Sequence, residues 1–214
     1  MLNRLRQIVG KSDGLDSEEL AQIRLVVALG NPGAEYATTR HNVGFWTLNR
    51  LARRHGIKLS VRGKSAVGEG TINGRNVTLA KPLTYVNLSG SAVKTLVDKL
   101  KLDGPAEFIV VADDLDLPVG KLRMRASGGS GGYKGLKSVI DTLRTDAFPR
   151  LRIGIGRPAV RGKPSWDPEH VANYVLSDPP PDERELLEAA AERAADAIEM
   201  AISDGVEAAM QRFN

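Results

Sequence analysis

Residues 24–33 read RLVVALGNPG, and the fold class turns on how that stretch is parsed. From Arg24 to Leu29 the run is apolar with no polar alternation, which predicts a strand buried on both faces. Gly30 ends it, and Asn31-Pro32-Gly33 reads as a turn or loop. A second such run, Phe108–Ala112, ends in Asp113, Asp114, Leu115 and Asp116, and a third covers Leu151–Gly156. Lys121–Arg125 alternates basic and apolar residues, as a half-exposed strand does.

Helical spacing appears between these runs. Phe45, Leu48, Leu51, Ala52 and His55 recur at that period, and Gly56 supplies a stop. Val93, Leu96, Val97 and Leu100 predict a helix entered through Asn87-Leu88-Ser89, and Leu136, Val139, Ile140 and Leu143 predict one after the glycine cluster Gly128–Gly135. Asn73-Gly74 lies inside Thr71–Val77 and signals a hairpin, because the tight turn needs positive φ. From Asp182 a long amphipathic helix is expected, with Asp182 and Glu185 spaced as a capping box and a break at Asp204-Gly205. Strands alternating with helices, with one hairpin interposed, predict a single compact α/β domain over residues 23–214: a mixed, twisted β-sheet flanked by helices. Residues 1–22 read as an N-terminal extension, a short loosely ordered helix rather than a signal or transit peptide.

The 214 residues suffice for one well-buried core. The absence of Cys excludes a disulfide scaffold, a thiolate metal site and a Cys nucleophile, and it fits a reducing, cytoplasmic setting. No apolar run approaches the length of a membrane span. The net charge is only +4, but the cations are unevenly placed, and a mildly basic chain can bind RNA when its cations share one face.

Several chemistries fail on spacing. No Gly-x-Gly-x-x-Gly follows a strand, the glycine cluster lacks the Gly-Lys-Ser/Thr of a phosphate loop, and no Gly-x-Ser-x-Gly elbow exists. The three His residues include no pair spaced for one helical face, which argues against zinc. His41, just beyond the first strand's loop, suits a general base activating water. His55 and His170 read better as structural or surface residues. Asp113, at the end of a buried strand, could orient His41 if the two strands are neighbours. The carboxylates of Asp113, Asp114 and Asp116 could instead make turns or bind a divalent cation. Asn31 and Asn87 can donate and accept at once and so suit reading an amide, although Asn31 also fits a turn and Asn87 a helix cap. Lys121, Arg123 and Arg125 fall on one strand face, and Lys134, Lys137 and Arg144 follow. They could bind phosphates or be a solvated charged face.

Taken in order, LGNPG with Tyr36 and Thr39-Arg40-His41-Asn42, then KPLTYVNLSG over residues 81–90, DDLDLP over 113–118, the glycine cluster, and LRIGIGRP over 151–158 make the chain resemble bacterial-type peptidyl-tRNA hydrolases from about Arg24 onward. That resemblance implies a compact monomeric α/β enzyme of the cytoplasm. It would hydrolyse the ester between a peptide and the tRNA 3′ end without metal or cofactor, and so recycle tRNA. It implies His41 as the base and Asp113 as its supporting acid. Asn31 would discriminate an N-blocked aminoacyl group. Tyr36, Tyr85, Asn87 and Lys134 would contact the substrate or tRNA end, and Lys121, Arg123, Arg125 and Lys137 would meet tRNA phosphates. Two positions depart from the family's pattern: Tyr133-Lys134 stands where His-Asn is usual, and Val86 where Met is usual. Because Lys134 cannot accept a hydrogen bond, an RNA-binding relative with little or no turnover is the competing reading. The intact His41–Asp113 pair speaks against it.

Overall fold

The apolar run of residues 24–29 forms the middle of the molecule. The computed structural model describes residues 22–214, so the extension expected over 1–22 falls almost wholly outside the described residues. In chain order the elements are β1 (Leu25–Ala28), α1 (Val43–Arg54), β2 (Ser60–Arg62), β3 (Ser65–Ile72), β4 (Arg75–Pro82), α2 (Ser89–Leu100), β5 (Phe108–Asp114), β6 (Leu122–Arg125) and α3 (Lys134–Leu143). Then follow β7 (Arg150–Gly154), a small hairpin of β8 (Ala159–Val160) and β9 (Lys163–Pro164), α4 (Pro168–Val175), α5 (Pro181–Ser203) and α6 (Val206–Phe213).

Seven strands make one mixed sheet in the order β2-β3-β4-β1-β5-β7-β6. β1 runs parallel to both β4 and β5, and β5 parallel to β7. β3 is antiparallel to both β2 and β4, and edge strand β6 is antiparallel to β7. Asn73 and Gly74 turn the hairpin with φ of 49° and 78°, the positive pair that an Asn-Gly turn supplies.

The lack of alternation in β1 is explained by cover on both faces. Val26 and Ala28 join Ile109 and Val111 of β5 in a core beneath α1, α5 and α6. Leu25 and Val27 join Phe108, Val110 and Ala112 in a second core beneath α2 and α3. Each buried Val or Leu contributes roughly 1.5–3 kcal/mol, so the central strands carry much of the stability. α5 meets the sheet through small residues, among them Ala190, Ala191, Ala194 and Ala201, which allow a close approach. Among the described residues, no helix is long and apolar enough to cross a membrane.

Two local expectations are corrected. α5 has no capping box from Asp182 and Glu185. It starts at Pro181 with Pro180 in the cap position and no side-chain cap bond, because Pro at the first helical position has no N–H to satisfy and a preset φ. Asn87 does not cap α2 either. A 3-10 turn over Val86–Leu88 intervenes, and Leu88 occupies the cap position.

Candidate active site

β4, β1 and β5 are parallel neighbours, so the loops after them emerge on one side of the sheet, where ligands collect in open α/β sheets. The loop after β1 carries Asn31 and His41, that after β4 carries Tyr85 and Asn87, and β5 itself ends in Asp113 and Asp114. The glycine cluster delivers Tyr133 and Lys134 to the same place. Val86, Tyr133 and Leu29 all crowd the space beside Gly135.

His41 is held by its sequence neighbours. Thr39, Arg40, His41 and Asn42 are all buried, three of them in a 3-10 turn (Arg40–Asn42) that leads into α1. The Arg40 guanidinium points away from the cleft. It donates to Glu183 at 2.7 and 3.0 Å and to Ser177 Oγ at 2.7 Å, and it stacks 4.2 Å over the Tyr174 ring. Asn42 clamps the backbone of Asn31 from both sides: its Oδ1 accepts from the Asn31 N–H and its Nδ2 donates to the Asn31 carbonyl, each at 2.9 Å. A Cβ at Gly30 would stand 2.4 Å from Asn42 Oδ1, so the clamp requires glycine there. The polar tetrad therefore belongs to the scaffold, except for its imidazole.

His41 Nδ1 lies 3.0 Å from Asp113 Oδ1, with side-chain exposures of 8% and 3%. An ionised carboxylate can only accept, so Nδ1 carries the proton and Nε2 keeps its lone pair. Burial works against the charged ring, but the charge and hydrogen bond of Asp113 outweigh it and hold the His41 pKa above its ordinary value. The arrangement can take a proton from water and stabilise the imidazolium that forms.

Asn31 Oδ1 accepts from the Val86 N–H at 2.9 Å, which ties the first loop to the Tyr85–Asn87 loop and leaves the Asn31 NH₂ as a donor. Tyr85 is 61% exposed and Asn87 is exposed, while Tyr36 is half-buried in a 3-10 turn over Ala34–Tyr36. Lys134 is exposed at the first residue of α3.

The expected basic face divides. Lys121 and Arg125 are exposed and Arg123 is half-buried on β6. Lys137 is paired with Asp141 at 2.6 Å. The acidic cluster at the end of β5 diverges: Asp113 takes His41, Asp114 takes Arg152 at 3.2 Å, and Asp116 takes Arg157 at 2.6 Å. Asp114 also accepts from the Asp116 N–H, so the turn reading of that residue holds. His55 pairs with Glu199 of α5 and His170 with Ser165, as structural residues do.

Two arginines had no role in the sequence reading. Arg152 faces Arg123 across the β6–β7 register and donates to the Gly129 carbonyl. Arg150, almost fully buried, donates to the carbonyls of Gly128, Gly129, Asp146 and Phe148. Its pKa is pushed down to about 10 by burial and by the neighbouring Arg152. Together they fix the glycine cluster ahead of α3. Only strand register could have revealed this.

A family model described as peptidyl-tRNA hydrolase matches residues 25–214. The peptidyl-tRNA hydrolase of Chloroflexus aggregans is 47% identical over 191 residues, spanning 89% of this chain and 98% of that protein. That of Carboxydothermus hydrogenoformans is 48% identical, spanning 89% and 97%. The crystal structure of the peptidyl-tRNA hydrolase from Acinetobacter baumannii superposes with a TM-score of 0.83 at 36% identity, covering 91% of this chain and 96% of that one.

Proposed function

The chain belongs to the peptidyl-tRNA hydrolase family, and from that premise we propose that its reaction, hydrolysis of the ester between a peptide and tRNA, runs on His41 as general base with Asp113 behind it. The observation that carries this assignment is the buried 3.0 Å contact of His41 Nδ1 with Asp113. Nε2 takes a proton from water as the oxygen attacks the ester carbonyl. The C–O bond to the tRNA ribose then breaks, and the proton held on His41 passes to the departing ribose oxygen. Asp113 keeps Nδ1 protonated throughout, so only Nε2 exchanges protons.

Asn31 serves recognition. With its carbonyl engaged by Val86, its NH₂ donates to the acyl carbonyl that an N-blocked substrate has and a free aminoacyl group lacks. Tyr36, Tyr85 and Asn87 line the peptide and acceptor end, and Lys134 meets the acceptor end as a donor. Lys121, Arg123 and Arg125 meet tRNA phosphates, with Lys137 a weaker contributor because Asp141 already neutralises it. The protein acts as a monomer in the cytoplasm. The reading as a turnover-free RNA binder is not favoured: a binder has no use for a buried base whose pKa is raised by a dedicated carboxylate.

The test is a turnover assay on N-acetyl-aminoacyl-tRNA, with free aminoacyl-tRNA as control. Rapid release of tRNA from the first and little from the second is expected. Binding without release would return the chain to the binder reading.

A further inference from the structure

Tyr133 packs beside the imidazole of the His41–Asp113 pair. Its ring centroid lies 5.8 Å from that of His41 with the planes tilted by 46°. Its hydroxyl is buried and completes no hydrogen bond among the described residues. Asp113 makes its only side-chain hydrogen bond among the described residues to His41, and burial together with the Asp113 charge pushes the Tyr133 hydroxyl's pKa well up. A buried hydroxyl without a partner is costly, and the Asp113 carboxylate that acts on this one has a lone pair to spare.

We propose that Tyr133 is a positioning residue for the base: its hydroxyl donates to the Asp113 carboxylate and shares the charge that His41 would otherwise have to itself. The inference deepens the hydrolase reading and rests on it. A carboxylate in a dry pocket strengthens the base that it faces. Left unshared, it would keep His41 protonated, and so inactive, further into the neutral range. A hydroxyl on the same carboxylate limits that effect without adding a charge. It costs the site little, because burial and the Asp113 charge hold the phenol itself un-ionised.

The surroundings leave few rivals. From β5, Asp113 is the charged group acting on His41 and on Tyr133. On His41's own turn, Arg40 is drawn away into Glu183 and Ser177. Arg152 on β7 is engaged by Asp114 and the Gly129 carbonyl. Lys134, the next residue in the chain, is exposed.

The experiment is an NMR titration of the His41 ring in the free enzyme, which needs no substrate and so can fail independently of the turnover assay. Tyr133→Phe keeps the ring and removes the oxygen. The His41 pKa should rise by roughly half a unit to one unit. The acid limb of kcat/KM should move up with it, giving a few-fold loss near neutral pH that is recovered at about pH 9. Site-specific 3-fluorotyrosine at position 133, a stronger donor, should move the limb the other way, and it covers the case in which the Phe variant does not fold. A purely structural role would lower activity equally at every pH with the His41 pKa unmoved. That result, or a downward shift in Tyr133→Phe, overturns the proposal.

Discussion

The tetrad Thr39–Asn42 and the segment Lys121–Arg125 are both short and rich in polar side chains, yet the chain treats them in opposite ways. Every member of the tetrad is buried, and its cation, Arg40, is used up inside the protein by Glu183 and Ser177. On β6 the apolar residues Leu122 and Met124 go inward, while Lys121 and Arg125 remain exposed without internal carboxylate partners among the described residues. A group that moves a proton must be held in one place, and burial amplifies the field of its partner. A group that attracts a polyanion must stay unneutralised and in water, where it acts by releasing counterions. On the proposed function the contrast separates chemistry from capture, and each of the following variants strikes one side of it.

The largest effect is expected from His41→Ala. Turnover should fall roughly 10²–10⁴-fold, the scale of general-base catalysis, while tRNA affinity changes little. A parallel loss of affinity would merge the two regions. Asp113→Asn comes next, with a fall on the order of 10²-fold, because an amide no longer enforces the working tautomer. It should also lower the His41 pKa, measured by ring NMR.

The sign can be checked in the native enzyme. His41 must be neutral to act, and its pKa is raised above 6.5, so kcat/KM should climb with pH through a midpoint above that value. The same pair stabilises the fold fully below the unfolded pKa of 6.5, and that contribution is lost as pH rises through the folded value. Denaturant titrations at several pH values should show the native advantage over Asp113→Asn shrinking as pH rises.

The other side of the contrast is probed with salt. Neutralising Lys121, Arg123, Arg125 and Lys134 together should reduce the log–log salt slope of tRNA binding by roughly 3, at about 0.7–0.9 per contact, with His41 chemistry intact. An unaltered slope would make the face a merely solvated one. Lys134→Asn alone should weaken tRNA binding modestly and preserve or improve hydrolysis of short N-acylated substrates. It should also relieve an unfavourable cation at a helix N-terminus, where the dipole term is about 0.3–1 kcal/mol. The smallest effect belongs to Lys137→Ala, since Asp141 already neutralises that cation.

How far the sequence spoke for itself follows the same division. The unbroken apolar runs gave β1 and β5, because a strand covered on both faces has no polar alternation to hide it. Asn73-Gly74 gave the hairpin through its backbone demand. His41 and Asp113 were legible as candidates, but their contact depended on β1 and β5 being neighbours, which is a matter of topology. Edge strand β2, exposed throughout at Ser60, Val61 and Arg62, carries no burial pattern to read, and neither does the β8–β9 hairpin. The capping box at Asp182 was misread because Pro180-Pro181 sets the start of α5 by fixing φ. The roles of Arg150, Arg152 and Asn42 lay in carbonyls and backbone groups that no residue type announces.

Arg40 has one more consequence, which concerns time. The residue beside His41 is fastened to Glu183, 143 positions further along, and the His41–Asp113 contact itself spans 72. Closing loops of that length is entropically slow, and it cannot begin until the distant partner exists. During synthesis the strand that leads to His41 emerges early, and the turn that follows it lacks the Arg40–Glu183 tie until α5 has been made. On the proposed function, activity is then among the last properties the chain acquires, and recovered turnover in a refolding experiment should report completion of the whole domain.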